Sequence, residues 1–143
     1  MANPSDDELR QIYATAKTIA VVGASNDESK PAHTIPRYLQ RQGYRIIPVN
    51  PRGGEILGEK VYEKLTDVTE PVDVVDVFRP SDETPPIARD AVQIGAKVLW
   101  LQEGISSEEA ATIATEGGVT PVMDACMGAT HYRLNLGPGP NAG

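Results

Sequence analysis

The stretch Thr18–Val22, "TIAVV", followed at once by Gly23, constrains the fold of this chain more than any other. A run with no charge and little alternation fits a central strand buried on both faces. Gly23 stands where the chain must turn sharply or approach a ligand closely. After a polar loop, the spacing predicts a helix capped near Thr34, with Pro36 in its first turn, Ile35 and Leu39 facing the sheet and Gly43 as its stop. Tyr44–Val49, "YRIIPV", reads as the second strand. This order is a βαβ unit, the core of a Rossmann-like mononucleotide-binding half.

The rest of the chain continues the alternation. Ser5 and Glu8 form a capping box that opens a helix from about Asp6 to Ala16, with Leu9, Ile12, Tyr13 and Ala16 as its apolar stripe. Ile56–Leu57 reads as a very short extended stretch, and Val61, Tyr62 and Leu65 tuck a brief helical or turn segment against the core. Val72–Phe78 is a strand. Asp76 within it must sit near an end or find a backbone or cationic partner, because an unpaired buried carboxylate is costly. Thr84 caps the next helix, with Pro85 at its first position and Gly95 at its end. Lys97–Leu101 is a further buried strand. Ser106 and Glu109 form a second capping box, for a helix reaching about Glu116. Val119–Met123 is the last strand, with Pro121 marking it as an edge. "DACMGATHYRL" closes the domain as a short helix or turn. The expected fold is an α/β, Rossmann-like three-layer domain with a mostly parallel sheet of five or six strands. It spans residues 1–136, with a flexible start over 1–5 and a disordered low-complexity tail over 137–143.

Bulk properties narrow the function. A length of 143 residues suits one domain with a real core, and a net charge of -7 argues against nucleic-acid binding by counterion release. Only 5% of residues are aromatic, which is thin for base stacking. Cys126 is the lone cysteine, so no intrachain disulfide forms and a cytoplasmic setting is expected. The start "MANPSDDELR" has no apolar core of a signal peptide, and no run approaches the roughly 18 apolar residues of a membrane span.

The chemistry-bearing residues gather at predicted carboxyl ends of strands, where open α/β sheets bind ligands. Backbone N–H groups of the Gly23–Ala24–Ser25 turn, the Ser25 hydroxyl and the Lys30 ammonium suit a diphosphate. Of His33 and Arg37, one turn apart, one could reach the same anion, although each reads first as a plain surface residue. The loop has one glycine where a G-x-G-x-x-G fingerprint needs three. The second strand ends Val49–Asn50–Pro51, with no acid to take an adenosine ribose diol; this leaves room for a phosphorylated ribose, with Arg52 as countercharge. Phe78 and Arg79, before Pro80, are placed to flank a flat ring or reach phosphate. Gln102 offers an amide and Gly104 a close backbone approach at the same edge. Catalysis has no such support. His33, His131 and Cys126 match no zinc spacing, and neither a nucleophile elbow nor a P-loop is present. Cys126 and His131, five apart, diverge on a helix, so Cys126 reads as structural.

The segments "VVGASNDESKPAH", "GYRIIPVNPRGGEILGEKVY", "PVDVVDVFRP", "VLWLQEGI" and "PVMDACM", in this order, resemble the small single-domain CoA-binding proteins. These in turn are similar to the CoA-binding Rossmann domain at the start of the succinyl-CoA synthetase α subunit. The likeness covers about Leu9 to Leu134. It implies coenzyme A or an acyl-CoA as the ligand. The Gly23–Ala24–Ser25 turn and Lys30 would receive the pyrophosphate, and Asn50, Pro51 and Arg52 would border the ribose and its 3′-phosphate. Phe78, Arg79 and Pro80 would line the adenine side, and Gln102 and Gly104 would close the cleft towards pantetheine. Family members often carry an arginine where this chain has Ala125 and an acid where it has Thr130. The expected partner is thus a CoA-type small molecule, with no nucleic acid, no membrane and a monomer or homodimer. A nucleotide-dependent oxidoreductase and a protein-interaction module with a vestigial site are the alternatives.

Overall fold

In a computed structural model, residues 2–139 are described. The elements in chain order are α1 (Asp6–Thr15), β1 (Thr18–Val22), α2 (Pro31–Arg41), β2 (Arg45–Val49), β3 (Glu55–Ile56), β4 (Glu59–Lys60), β5 (Val74–Val77), α3 (Thr84–Gln93), β6 (Val98–Leu101), α4 (Glu108–Glu116), β7 (Thr120–Val122) and α5 (Met127–Arg133), with 3-10 turns at Leu65–Asp67 and Ser81–Glu83. The apolar-rich runs form one five-stranded sheet in the order β2-β1-β5-β6-β7, and every pairing in it is parallel. The Ile56 region is not an isolated stretch: β3 pairs with β4 as a separate antiparallel hairpin.

Alternation along the strands sorts side chains to two cores. Ala20, Val75, Val77, Leu99 and Leu101 pack against Ala88 and Ala91 of α3 and Ala110, Ala111 and Ala114 of α4. Ile19, Val21, Val74 and Trp100 face Leu9 and Tyr13 of α1, Leu39 of α2 and Met127 of α5. The result is a three-layer sandwich, the architecture that an all-parallel sheet needs to cover both faces. On the second face the aromatic tips find backbone partners. Tyr13 donates its hydroxyl to the Met127 carbonyl at 2.6 Å, Tyr44 to the Tyr13 carbonyl at 2.9 Å, and the Trp100 indole to the Ala125 carbonyl at 2.8 Å. Burial pushes the Tyr44 hydroxyl up to about 12. His131 lies among Tyr13, Tyr38 and Tyr44, with Nδ1 in a hydrogen bond with the Tyr38 hydroxyl at 2.9 Å, and burial holds its imidazole below the usual range. Cys126 instead caps α5, its sulfur accepting from the Ala129 N–H at 3.4 Å. The two therefore have separate structural tasks.

Several boundaries differ from the sequence expectations, each for a local reason. The helix α2 starts at Pro31, not near Thr34, because Pro31 loses nothing at a position whose N–H has no helical partner. Pro36 therefore falls inside the helix and cannot bond to the Ala32 carbonyl. The Ser25 N–H donates to that carbonyl instead, at 3.2 Å, so an interior proline fixes the preceding loop. Glu83 rather than Thr84 occupies the cap position of α3, and Thr84 sits in the first turn with its hydroxyl donating to the Ser81 carbonyl at 2.7 Å. Ser107, not Ser106, caps α4, accepting from the Ala110 N–H at 3.1 Å.

Asp76 sits one residue from the carboxyl end of β5, near an end as expected. It is nevertheless fully buried, and neither a backbone group nor a cation answers it. The Gln102 amide donates to Oδ1, and Gln102 Oε1 in turn accepts from the Met127 N–H at 3.4 Å. Oδ2 has no partner among the described residues, and burial pushes the carboxyl up to about 7.

The ends of the described chain are held. The Ser5–Glu8 capping box is present as expected. Just before it, the Asn3 side chain exchanges two hydrogen bonds with the Met123 backbone, at 2.7 and 2.8 Å, and so covers the free edge beyond β7. At the other end the Gly139 N–H donates to the Gln42 carbonyl. Residues 140–143 of the expected disordered tail lie outside the described residues.

Candidate functional site

The sheet order positions the site. β2 lies on one side of β1 and β5 on the other. The connections that leave β1 and β5 then run to opposite faces, which opens a crevice at their carboxyl ends. A cleft of about 1060 Å³ is found there, just above the roughly 300–1,000 Å³ usual for small-molecule pockets.

Three loops build it. The first is the turn after β1. Gly23 has φ +90°, and its N–H donates to the Val49 carbonyl at 3.0 Å. A Cβ here would stand 2.9 Å from Arg79 Cδ and 3.0 Å from the Phe78 carbonyl oxygen, so both conformation and space require glycine. The Ser25 hydroxyl oxygen accepts from the Asp27 N–H at 3.0 Å, which leaves its own proton free to be donated. Lys30 precedes α2 with its side chain exposed at the cleft wall.

The second loop follows β2. Asn50 joins it to the first: its amide donates to the Ala24 carbonyl at 2.9 Å, while its side-chain oxygen accepts from the Arg52 N–H at 2.8 Å. Arg52 is exposed at the rim, and no carboxylate among the described residues pairs with it. The third loop follows β5. Phe78 is half-buried and Arg79 exposed, and the Arg79 guanidinium is forked on the Glu83 carboxylate at 3.0 Å.

Gly23, Ala24, Ser25, Lys30, Asn50, Pro51, Arg52, Phe78 and Arg79 thus all border one cleft. Pro80, Gln102 and Gly104 are not brought to its lining. Gln102 is buried and its amide is committed to Asp76, and the Gly104 N–H donates to the Asp124 carboxylate at 2.6 Å. His33 is also turned away: it is buried with Nδ1 bonded to the Ser25 carbonyl at 2.8 Å, and with Arg37 it borders a separate surface groove.

Sequence reasoning missed one wall. Leu65 and Thr66 of the first 3-10 turn and Pro86 and Ile87 of α3 complete the cleft. Leu65 shows in the sequence only as an apolar residue, and nothing local says that the fold brings it opposite the Gly23 turn. The lining carries four cations (Lys30, Arg52, Lys64, Arg79) and four carboxylates (Glu63, Asp82, Glu83, Asp90). A chain of net charge -7 therefore presents a cleft with no formal excess of negative charge.

A family model described as a CoA binding domain matches residues 17–132. The chain belongs to the CoA-binding domain family. This CoA-binding domain is 44% identical to a protein of known structure from Thermus thermophilus, with a TM-score of 0.88 over 92% of this chain and 99% of that one. It is 40% identical to the uncharacterized protein YneT of Bacillus subtilis, over 92% of this chain and 97% of that protein. It is also 27% identical to an ADP-forming acetate–CoA ligase of Methanocaldococcus jannaschii, matching 92% of this chain but only 20% of the ligase. The domain thus corresponds to about a fifth of such an enzyme. Ala125 and Thr130, where related sequences were expected to carry charge, do not border the cleft. Among the described residues no helix is long and apolar enough to cross a membrane, and no group of three or more metal-binding side chains is found.

Proposed function

We propose that this domain binds coenzyme A or an acyl-CoA in the cleft at the ends of β1, β2 and β5, without a catalytic step of its own, in the cytoplasm. The Gly23–Ala24–Ser25 turn and Lys30 take the diphosphate. Asn50, Pro51 and Arg52 border the ribose and its 3′-phosphate, and Phe78 and Arg79 the adenine side, from which the Arg79 guanidinium reaches phosphate across the Gly23 turn. The observation that carries this reading is the pairing of a glycine-only turn at the switch point with an unpaired Arg52 where a diol-binding acid would otherwise stand. A ribose bearing a 3′-phosphate needs a cation there, and a free diol needs a carboxylate.

The test is calorimetric titration of the full chain with CoA and with 3′-dephospho-CoA. CoA is expected to bind about tenfold tighter, the value of one charge-assisted phosphate contact at an exposed site. Arg52→Gln removes that advantage and leaves dephospho-CoA unchanged. Equal affinity of the unaltered chain for both ligands overturns the role of Arg52. Absence of binding to either overturns the functional reading.

A further inference from the structure

Among the described residues, Arg79 is the one cleft cation in an ion pair with a carboxylate. Its Nη2 donates to both Glu83 oxygens at 3.0 Å and its Nε to Oε1 at 3.2 Å. Its stem crosses the Gly23 turn closely enough that Cδ lies 2.9 Å from where a Gly23 Cβ would stand. The side chain therefore lies over the turn assigned above to the diphosphate. Glu83 borders the same cleft, one residue ahead of α3. Both side chains are about half exposed, 46% and 47%, so the pair is solvated, weak and easily exchanged.

We propose that Glu83 is a built-in competitor for the ligand's phosphate, holding Arg79 across the Gly23 turn in the empty cleft and releasing it to an incoming phosphate group. This rests on the CoA reading. The chemistry favours exchange. A phosphate group carries more charge and more acceptor oxygens than a carboxylate, and it accepts the same guanidinium fork. Once abandoned, the Glu83 carboxylate remains at the start of α3, where the helix dipole favours an anion, so the swap strands no charge. A ligand fragment without phosphate cannot make the exchange. The pair thus sets a threshold of ligand charge that favours phosphorylated ligands over pantetheine or adenosine alone.

The test compares CoA affinity of the unaltered chain, Glu83→Gln, Arg79→Gln and the double variant. Both residues are exposed, so all four chains are expected to fold. Glu83→Gln should tighten CoA binding by roughly fivefold, the upper range for release of an exposed ion pair. In the Arg79→Gln background the same change should have no effect. Equal or weaker binding by Glu83→Gln, with the unaltered chain binding CoA, overturns this inference and leaves the functional reading in place. No CoA binding by any of the four chains overturns the functional reading itself.

Discussion

Asp76→Asn is expected to stabilise the domain at neutral and alkaline pH and to destabilise it by about 1–3 kcal/mol below pH 4. In the fold the Asp76 carboxyl holds its proton up to about 7, against an ordinary value of 3.8. Between those limits the folded chain binds a proton that the unfolded chain has released. Stability from this group is thus full below about pH 4, falls as pH rises towards 7, and is flat beyond. The difference corresponds to roughly 4 kcal/mol. Asparagine keeps an oxygen for the Gln102 amide and never ionises, although its own amide enters a site where Oδ2 has no partner, which offsets about 1–3 kcal/mol. Other carboxyls act in the opposite direction: Asp6, Glu8, Asp27 and Glu70 are held below their ordinary values by hydrogen bonds, the first and last by arginine partners. The informative curve is therefore the variant's unfolding free energy minus that of the unaltered chain. It should climb by a few kcal/mol between pH 4 and 7 and then level off. A difference independent of pH would show that Asp76 titrates normally.

Gly23→Ala is expected to damage stability and binding together. A side chain at φ +90° costs about 1–3 kcal/mol in backbone strain. The new methyl also meets the Phe78 carbonyl at 3.0 Å, and that backbone cannot withdraw, because the Phe78 N–H is bonded to the Val22 carbonyl at 2.9 Å. A loss of about 2–3 kcal/mol lowers the melting temperature by roughly 5–10 °C. CoA affinity should fall by more than tenfold, since the turn that receives the diphosphate is displaced. Gly58→Ala is the control. Its φ is +76°, nothing lies within 4 Å of its Cβ, and it sits on the β3–β4 hairpin away from the cleft. It should lose stability and retain affinity. Gly23→Ala binding CoA as the unaltered chain does would remove the turn from the site.

The parts legible in the sequence were those set by short-range rules. Runs rich in apolar residues marked β1, β2, β5 and β6, and Ser5 with Glu8 marked the start of α1. The nine cleft residues were found because they follow strand ends, which the alternation of elements already locates. Errors arose where two local signals competed or where a partner was distant. Pro31 and Pro36 both suit a first turn, and only the Ser25 bond to the Ala32 carbonyl makes the interior proline tolerable. The partner of Asp76 is an amide 26 residues away. That pairing did leave a trace. Asp76 is in register with Trp100, and Gln102 lies two residues beyond Trp100 along the same strand direction, hence on the same face. Strand parity alone would have turned Gln102 into the core rather than towards a ligand.

If the Gly23 turn and the Arg52 loop hold one ligand between them, both must respond to it together. Amide chemical shifts of the isotopically labelled chain, followed during titration with CoA, test it most directly. Gly23, Ala24, Ser25, Asn50, Arg52, Phe78 and Arg79 should move together along one saturable isotherm, while amides at the opposite end of the sheet, such as Asp73 and Lys97, stay in place. Saturating CoA that leaves the Gly23 and Arg52 amides unmoved would contradict it.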